Sequence, residues 1–178
     1  MVWLAAHGLA LYICRLAPKP RPAVAIEIER KFLLGDASWR VQVQRSEYMR
    51  QGYLAASEHC SIRIRLRDHD AHINIKSATL GITRTEFEYP VPMADAGIML
   101  GTLCGTRTLE KTRHYVHHAG HEWEIDEFHG ANAGLLVAEL ELAASDEIFG
   151  RPQWLGEEVS MDTRYYNSCL VEHPYSHW

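Results

Sequence analysis

Charged and apolar side chains alternate along AIEIERKFLL, the stretch at residues 25–34. Glu27, Glu29 and Lys31 share one side of such an extended segment, because successive side chains of a strand point to opposite faces. Carboxylates hold hard divalent cations through their oxygens, and an ammonium group binds anions. A charged strand face usually points to water, so this stretch alone predicts only a solvated face.

Further stretches with the same alternation carry charges that segregate by sign. The basic rows are Arg63, Arg65 and Arg67; His72, Asn74 and Lys76; and Lys111 with Arg113. The acidic rows are Glu122, Glu124 and Asp126, and Glu139 with Glu141, and a mixed row holds Arg84, Glu86 and Glu88. Like charges two residues apart on one strand face repel each other. Their regular recurrence therefore indicates a bound counter-charge.

The two kinds of row predict two kinds of binding group. Guanidinium and ammonium groups suit phosphate, which arginine can bind through two parallel hydrogen bonds. These groups belong to Arg63, Arg65, Lys76, Lys111 and Arg113. Carboxylates suit Mg²⁺ or Mn²⁺, and they belong to Glu27, Glu29, Glu139 and Glu141. A polyphosphate bridged by divalent cations is a ligand that needs both kinds of group.

The elements that must position these residues follow from hydrophobic periodicity. Strands are predicted at 25–34, 48–55, 60–67, 72–77, 83–91, 108–117, 121–128 and 135–143. Helices are predicted after Asp36, at 93–103 and at 162–171. Eight mostly antiparallel strands in one domain predict a mainly β, α+β fold built on a closed barrel with a few flanking helices. If the charged faces point inward, the barrel encloses a charged tunnel and its apolar faces need covering.

Composition narrows the class of protein. The 178 residues suit one domain, and a net charge of −5 provides no global basic field for nucleic acid. The four cysteines lie far apart without a Cys-x-x-Cys pair, which argues against a zinc ribbon or a disulfide scaffold. Their distribution fits a reducing, cytoplasmic compartment.

Residues 1–23 form a separate segment ahead of the predicted domain at 24–178. The apolar run MVWLAAHGLALYIC is shorter than a bilayer requires and lacks the basic start of a signal peptide. The Pro-rich PKPRP that follows is typical of a linker. We therefore expect a poorly ordered extension rather than a membrane or export segment.

The order of these motifs resembles one known family. EIERK at 27–31 fits the Glu-x-Glu-x-Lys signature of CYTH domains, the triphosphate tunnel metalloenzymes. The resemblance continues through QGYL at 51–54, SIRIRLR at 61–67, INIKS at 73–77, EFEYPVP at 86–92, LEKTRHYV at 109–116, WEIDEFHGANAGLLVAELEL at 123–142 and RYYNSCLVE at 164–172. The pattern looks most like the compact bacterial members that act as inorganic triphosphatases.

The resemblance implies a role for each row. Catalytic residues would be Glu27, Glu29, Lys31, Glu139 and Glu141. Metal ligands, for two Mg²⁺ or Mn²⁺ ions, would be Glu27, Glu29, Glu139, Glu141 and Asp126. Substrate would bind to Lys31, Arg63, Arg65, Lys76, Lys111 and Arg113. Glu86, Glu88 and Glu124 would complete the tunnel lining, and the helix at 162–171 would plug one tunnel mouth. Arg67 and Glu122, near strand ends, are as well explained by solvent exposure.

The implied activity is metal-dependent hydrolysis of inorganic tripolyphosphate to pyrophosphate and phosphate. Two alternatives remain open from the sequence. The same tunnel could act on nucleoside or thiamine triphosphates, as a phosphatase or as a class IV-like adenylyl cyclase. It could also bind polyphosphate without turnover. We expect a monomer or homodimer whose partner is a small triphosphate, with neither nucleic acid nor membrane involved.

Overall fold

A computed structural model describes residues 25–178, and the predictions for residues 1–23 lie outside this range. The strands are β1 (Ala25–Leu34), β2 (Arg45–Ala56), β3 (Cys60–Arg67), β4 (Ala71–Ser77), β5 (Thr83–Pro90), β6 (Thr108–His118), β7 (His121–Phe128), β8 (Leu136–Glu141) and β9 (Leu155–Glu158). The α-helices are α1 (Met93–Thr102) and α2 (Asn167–Leu170). Short 3-10 turns occur at Ser38–Gln42, Gly130–Asn132, Thr163–Tyr165 and Tyr175–His177.

Eight of these strands close into an antiparallel barrel. Their order is β5-β4-β3-β2-β6-β7-β8-β1, and pairing between β1 and β5 closes the ring. The first half of β1 pairs with β5 and its second half with β8, while β9 is an extra strand at the far end of β1. The predicted closed barrel is therefore confirmed.

Apolar side chains cover the barrel on its outside. Phe32, Trp123 and Leu140 lie on the outward faces of β1, β7 and β8, where Trp39 and Trp154 from the connecting segments pack over them. On the opposite side, α1 packs on the outward faces of β3 and β4 through another apolar cluster. Because these faces are buried outside, the charged faces of the same strands point into the barrel.

One end of the barrel is filled by apolar side chains. Leu109, Phe128 and Val137 share strand faces with the charged rows of β6, β7 and β8, and Leu170 of α2 packs among them. Leu170 is fully buried. The C-terminal segment thus closes the barrel at this end, as the predicted plug requires.

The elements outside the barrel differ most from the sequence prediction. The helix predicted at 162–171 is broken, since Tyr166 is extended (φ −78°, ψ 133°) between a 3-10 turn and the four-residue α2. The Tyr166 hydroxyl donates to the Ser160 carbonyl at 2.9 Å, which holds this break in place. The segment after Asp36 is a 3-10 turn, and β9 was not predicted because LGEE has no apolar alternation. Within residues 25–178, no helix has both the length and the apolar character needed to cross a bilayer.

Gly52 provides a test of the packing between β2 and α1. A Cβ atom at this position would lie 2.6 Å from Cys104 Sγ and 3.0 Å from Leu100 Cδ2. We predict that Gly52→Ala lowers the free energy of unfolding by about 1–3 kcal/mol, because an overpacked core strains its neighbours. Urea denaturation measures this change.

The matched control is Gly97→Ala in α1, where a new Cβ would meet no atom within 4 Å. Alanine is the better helix former, so this variant should gain up to about 1 kcal/mol. Equal stability of the two variants would contradict the packing described for Gly52.

Candidate active site

The inward strand faces line a cavity of about 410 Å³. Among the residues predicted for the site, the structure brings the following to its wall: Glu27, Glu29, Lys31, Arg63, Arg65, Lys76, Glu86, Glu88, Lys111, Arg113, Glu124, Glu139 and Glu141. Asp126, also predicted, is fully buried in the barrel wall instead. The alternation of β-strands thus collects charges from distant parts of the sequence into one space.

Lys31 lies at the centre of the acidic side. Strand pairing sets Lys31 opposite Glu139 and Glu29 opposite Glu141. The Lys31 ammonium donates to the Glu139 carboxylate and lies 2.6 Å from the nearest Glu29 oxygen. Burial alone would lower the pKa of Lys31, but the two carboxylates raise it above its ordinary value. The pKa of Glu139 is held well below its usual range against burial, by Lys31 and then Arg113.

A second acidic group surrounds Lys76. Its ammonium donates to both Glu27 oxygens, at 2.6 and 2.7 Å, and lies 3.3 Å from Glu86. Burial and the charge of Glu29 raise the pKa of Glu27 despite this contact. The Glu27 carboxylate therefore lies in an environment that disfavours its charge, and an additional cation would relieve that cost.

The oxygen donors of Glu27, Glu29, Glu139 and Glu141 fit a hard divalent cation. No three metal-binding side chains converge within residues 25–178, and the lysines just described lie among the carboxylates. Metal binding would therefore require carboxylate oxygens to exchange ammonium partners for the cation. Carboxylate oxygens thus suit the Mg²⁺ or Mn²⁺ that the family resemblance implies. In the structure, the lysine ammonium groups are paired with these carboxylates.

Asp126 anchors the basic residues of β6. It accepts hydrogen bonds from Arg113 Nε at 2.7 Å and Nη2 at 2.8 Å, and from the Lys111 ammonium. Arg113 also donates to Glu139 at 2.5 Å and to Glu124. Burial and the neighbouring Arg113 lower the pKa of Lys111 to about 8. Asp126 thereby fixes two cations at the cavity wall.

Arg63 and Arg65 of β3 are less well neutralised than Arg113. Arg65 donates to Glu88 at 2.6 Å, yet burial and the adjacent Arg63 lower its pKa to about 10. Arg63 is 8% exposed, and it forms no salt bridge with any carboxylate of residues 25–178. Its Nε atom has no hydrogen-bond partner there. Arg63 thus has no paired carboxylate, although Tyr53 and then the carboxylates of Glu86 and Glu27 keep its pKa above the ordinary value against burial.

Several lining residues were not predicted. Among them are Met49, Gln51, Tyr53, Arg67, Arg84, Thr163, Tyr166, Asn167 and Ser168. The sequence leaves Arg67 open between the site and solvent, and its place in the β3 alternation is the signal that favours the site. Uncharged residues of β2 gave no charge pattern to follow, and the C-terminal residues reach the cavity through the break at Tyr166. Glu122, also left out, does lie outside the cavity, where it accepts from Arg45 at 2.8 and 3.1 Å.

Comparisons with known proteins agree with this architecture. A sequence model of the CYTH domain matches residues 25–168. The inorganic triphosphatase of Acetivibrio thermocellus is 37% identical over 152 residues, covering 85% of this chain and 97% of the relative. That of Nitrosomonas europaea is 32% identical over 149 residues, covering 82% and 96%. The crystal structure of the inorganic triphosphatase NE1496 is similar with a TM-score of 0.61 at 29% identity, covering 82% of this chain and 93% of that one.

The burial of Asp126 leads to a stability prediction. Asp126→Asn removes the charge that neutralises Lys111 and Arg113 while keeping the side-chain shape. We expect the free energy of unfolding in urea, measured without metal, to fall by about 3–5 kcal/mol, because two buried cations lose their counter-ion.

Glu122→Gln, on the same strand as Asp126, is the matched control, since it breaks the exposed pair between Glu122 and Arg45 of β2. Exposed pairs contribute about 0–1 kcal/mol, so this variant should stay close to the wild type. A loss for Asp126→Asn no larger than that of the control would show that Asp126 does not hold the basic side together.

Proposed function

The chain belongs to the CYTH domain family, and we propose that it is a metal-dependent triphosphatase that hydrolyses inorganic tripolyphosphate to pyrophosphate and phosphate. Two curated inorganic triphosphatases are matched over nearly their whole lengths, 97% and 96%. The closed barrel encloses both the acidic and the basic groups that a cation-bridged polyphosphate needs. A hydrolase of phosphoanhydride bonds is the enzyme class that follows.

The observation that carries the proposal is that Arg63 is buried without a paired carboxylate. A buried guanidinium is costly unless a counter-charge accompanies it. Carboxylates of residues 25–178 form no salt bridge with Arg63, although several line the same cavity. A phosphate group of the substrate provides the direct ion-pair partner that Arg63 lacks, and its oxygens match the guanidinium geometry.

The site residues divide into three sets in this proposal. Two Mg²⁺ or Mn²⁺ ions bind to Glu27, Glu29, Glu139 and Glu141. The substrate phosphates bind to Lys31, Arg63, Arg65, Lys76, Lys111 and Arg113. Supporting carboxylates are Glu86, Glu88 and Glu124. The position of Asp126 favours a supporting role over the metal-ligand role predicted from the sequence, because it is fully buried in the barrel wall beside Lys111 and Arg113 and does not line the cavity.

The protein contributes mainly position and charge to the reaction. Divalent cations, when bound, neutralise phosphate charge and lower the pKa of a bound water. Guanidinium and ammonium groups hold the triphosphate so that water attacks the terminal phosphorus in line with the departing pyrophosphate. The same groups stabilise the negative charge that develops on the leaving oxygen. The chain needs no covalent intermediate for this chemistry.

The remaining features of the proposal concern the whole protein. We assign residues 24–178 to the catalytic domain and place the protein in the cytoplasm as a monomer or homodimer. Cys60, Cys104 and Cys169 are free thiols, which supports a reducing compartment. A small triphosphate is the partner, with no role for nucleic acid or membrane.

A substrate panel tests the activity. We predict that purified protein with Mg²⁺ or Mn²⁺ releases phosphate from tripolyphosphate faster than from ATP or thiamine triphosphate, and forms no cyclic AMP. Glu29→Gln and Glu139→Gln should each lower kcat at least about 100-fold. Each substitution removes a carboxylate charge that the proposal assigns to binding the metal and thereby stabilising the transition state.

Glu127→Gln is the control, since Glu127 accepts from Arg40 at 3.0 and 3.1 Å away from the cavity. This variant should retain wild-type turnover. If the protein prefers an organic triphosphate, tripolyphosphate is not its main substrate and the proposal is wrong on this point. Tight metal-dependent binding of tripolyphosphate without turnover would show that the protein is a polyphosphate-binding module and not an enzyme.

Arg63 allows a separate prediction about affinity. Arg63→Met should raise KM for tripolyphosphate about 10- to 100-fold, since charge-assisted hydrogen bonds contribute about 1.5–3 kcal/mol each. Arg50→Met, on the outward face of β2 beside Glu110 at 3.2 Å, is the control and should leave KM unchanged. Unchanged KM for Arg63→Met in active protein would exclude Arg63 from substrate binding.

A further inference from the structure

Gln51 is a buried polar residue that the charged rows do not explain. Its side chain lines the cavity and is 1% exposed. Neither Nε2 nor Oε1 of its amide has a hydrogen-bond partner within residues 25–178. A buried amide without partners costs stability, so such a group usually meets a ligand or water that satisfies it.

Strand pairing places Gln51 between two basic rows. On one side it lies opposite Arg65 of β3, and on the other side opposite Leu109 of β6. Its diagonal neighbours on the two adjacent strands include Arg63 and Lys111, since Tyr53 pairs with Arg63 and Met49 with Lys111. Gln51 is therefore an uncharged group within the region that we assign to the substrate phosphates.

The chemistry of an amide differs from that of the charged groups around it. Arginine and lysine only donate hydrogen bonds, and ionised carboxylates only accept them, whereas glutamine does both from one rigid group. Hydrolysis requires a phosphoryl oxygen, which needs a donor, and an attacking water, which needs an acceptor. The unpaired Nε2 and Oε1 atoms of Gln51 offer this combination at a buried position.

We propose that Gln51 positions the attacking water against the terminal phosphoryl group. This inference rests on the proposed function. The Nε2 group donates to an oxygen of the terminal phosphoryl, and Oε1 accepts a hydrogen bond from the water. The amide thereby holds the water oxygen near the phosphorus that it attacks. A glutamine orients the attacking water in the same way in some nucleoside triphosphatases.

Gln51 is not consumed in the reaction. The water oxygen forms a new bond to the terminal phosphorus as the bond from that phosphorus to the bridging oxygen breaks. The electron pair of the broken bond leaves with pyrophosphate, and the water gives up one proton, which passes to solvent in the cavity. The amide keeps its own protons and is a positioning residue that contacts substrate.

A purely structural role for Gln51 makes the opposite prediction about stability. If the amide held the barrel together, replacing it would destabilise the protein. Both amide atoms lack partners here, so an apolar side chain of similar length should be neutral or stabilising. Gln51→Met therefore separates the two roles, because activity and stability should change in different directions.

The experiment compares Gln51→Met with wild type and with Gln44→Met, whose side chain is exposed outside the cavity. For Gln51→Met we expect kcat on tripolyphosphate to fall about 10- to 100-fold, the effect of misplacing a reactant. KM should stay within a few-fold, and the urea midpoint should equal or exceed that of wild type. Gln44→Met should match wild type in kcat and KM.

Each other outcome has a defined meaning. Wild-type protein that does not hydrolyse tripolyphosphate refutes the proposed function itself. In active protein, an unchanged kcat for Gln51→Met overturns the role of Gln51. A rise in KM alone overturns the water-positioning role, because Gln51 would then only bind substrate. Loss of both kcat and stability indicates a structural role and also overturns it.

A second variant keeps the test decisive if Gln51→Met does not fold. Gln51→Asn keeps the amide but withdraws it by one methylene, so it can no longer bridge water and phosphoryl. We expect a comparable fall in kcat. Tripolyphosphate added in the presence of EDTA should raise the thermal midpoint of this variant as much as that of wild type, since the basic rows are intact. Wild-type kcat in Gln51→Asn would overturn the proposal.

Discussion

The burial of charge inside the barrel is the constraint on which the rest of the structure depends. Each ion removed from water needs a partner of opposite sign, and in this barrel strand register provides many of them. Lys31 meets Glu29 and Glu139, while Arg113 meets Asp126 and Glu139. Apolar clusters on the outside stabilise the fold, so the inner faces are available for this network. In this barrel the charged side chains therefore point inward and the apolar side chains point outward.

The sequence predicts the barrel and much of the cavity wall for one physical reason. Side chains of a strand alternate with period two, so a charged row such as Glu27, Glu29 and Lys31 lies on one face of its strand. Rows of opposite charge on different strands indicate that these rows pair with each other. The pattern does not reveal depth. Asp126 and Glu124 alternate alike, yet one is fully buried and the other lines the cavity. Depth depends on which neighbours cover a side chain, and neighbours follow only from the folded structure.

Uncharged and irregular features were beyond prediction for related reasons. Gln51 lies in the QGYL stretch, whose match to the family implies no role for it, and its lack of hydrogen-bond partners is visible only in three dimensions. The break at Tyr166 depends on a hydroxyl contact with Ser160, which helical spacing does not encode. The four residues of β9 are too few and too polar for a periodic signal, although β9 extends the edge of β1.

The position of β1 has a consequence for how the protein is made. β1 emerges first among the described strands, but its partner β8 lies more than a hundred residues further along, as the Lys31–Glu139 separation of 108 shows. The consecutive strands β2 to β5 and β6 to β8 can pair locally, whereas the pairing of β2 with β6 and that of β1 with β8 join distant parts of the chain. The β1–β8 pairing closes the longest loop and therefore carries the largest loop-closure entropy. Lys31 meets Glu139 only through this long-range pairing. A chain in which β1 and β8 have not paired therefore lacks the complete catalytic chamber.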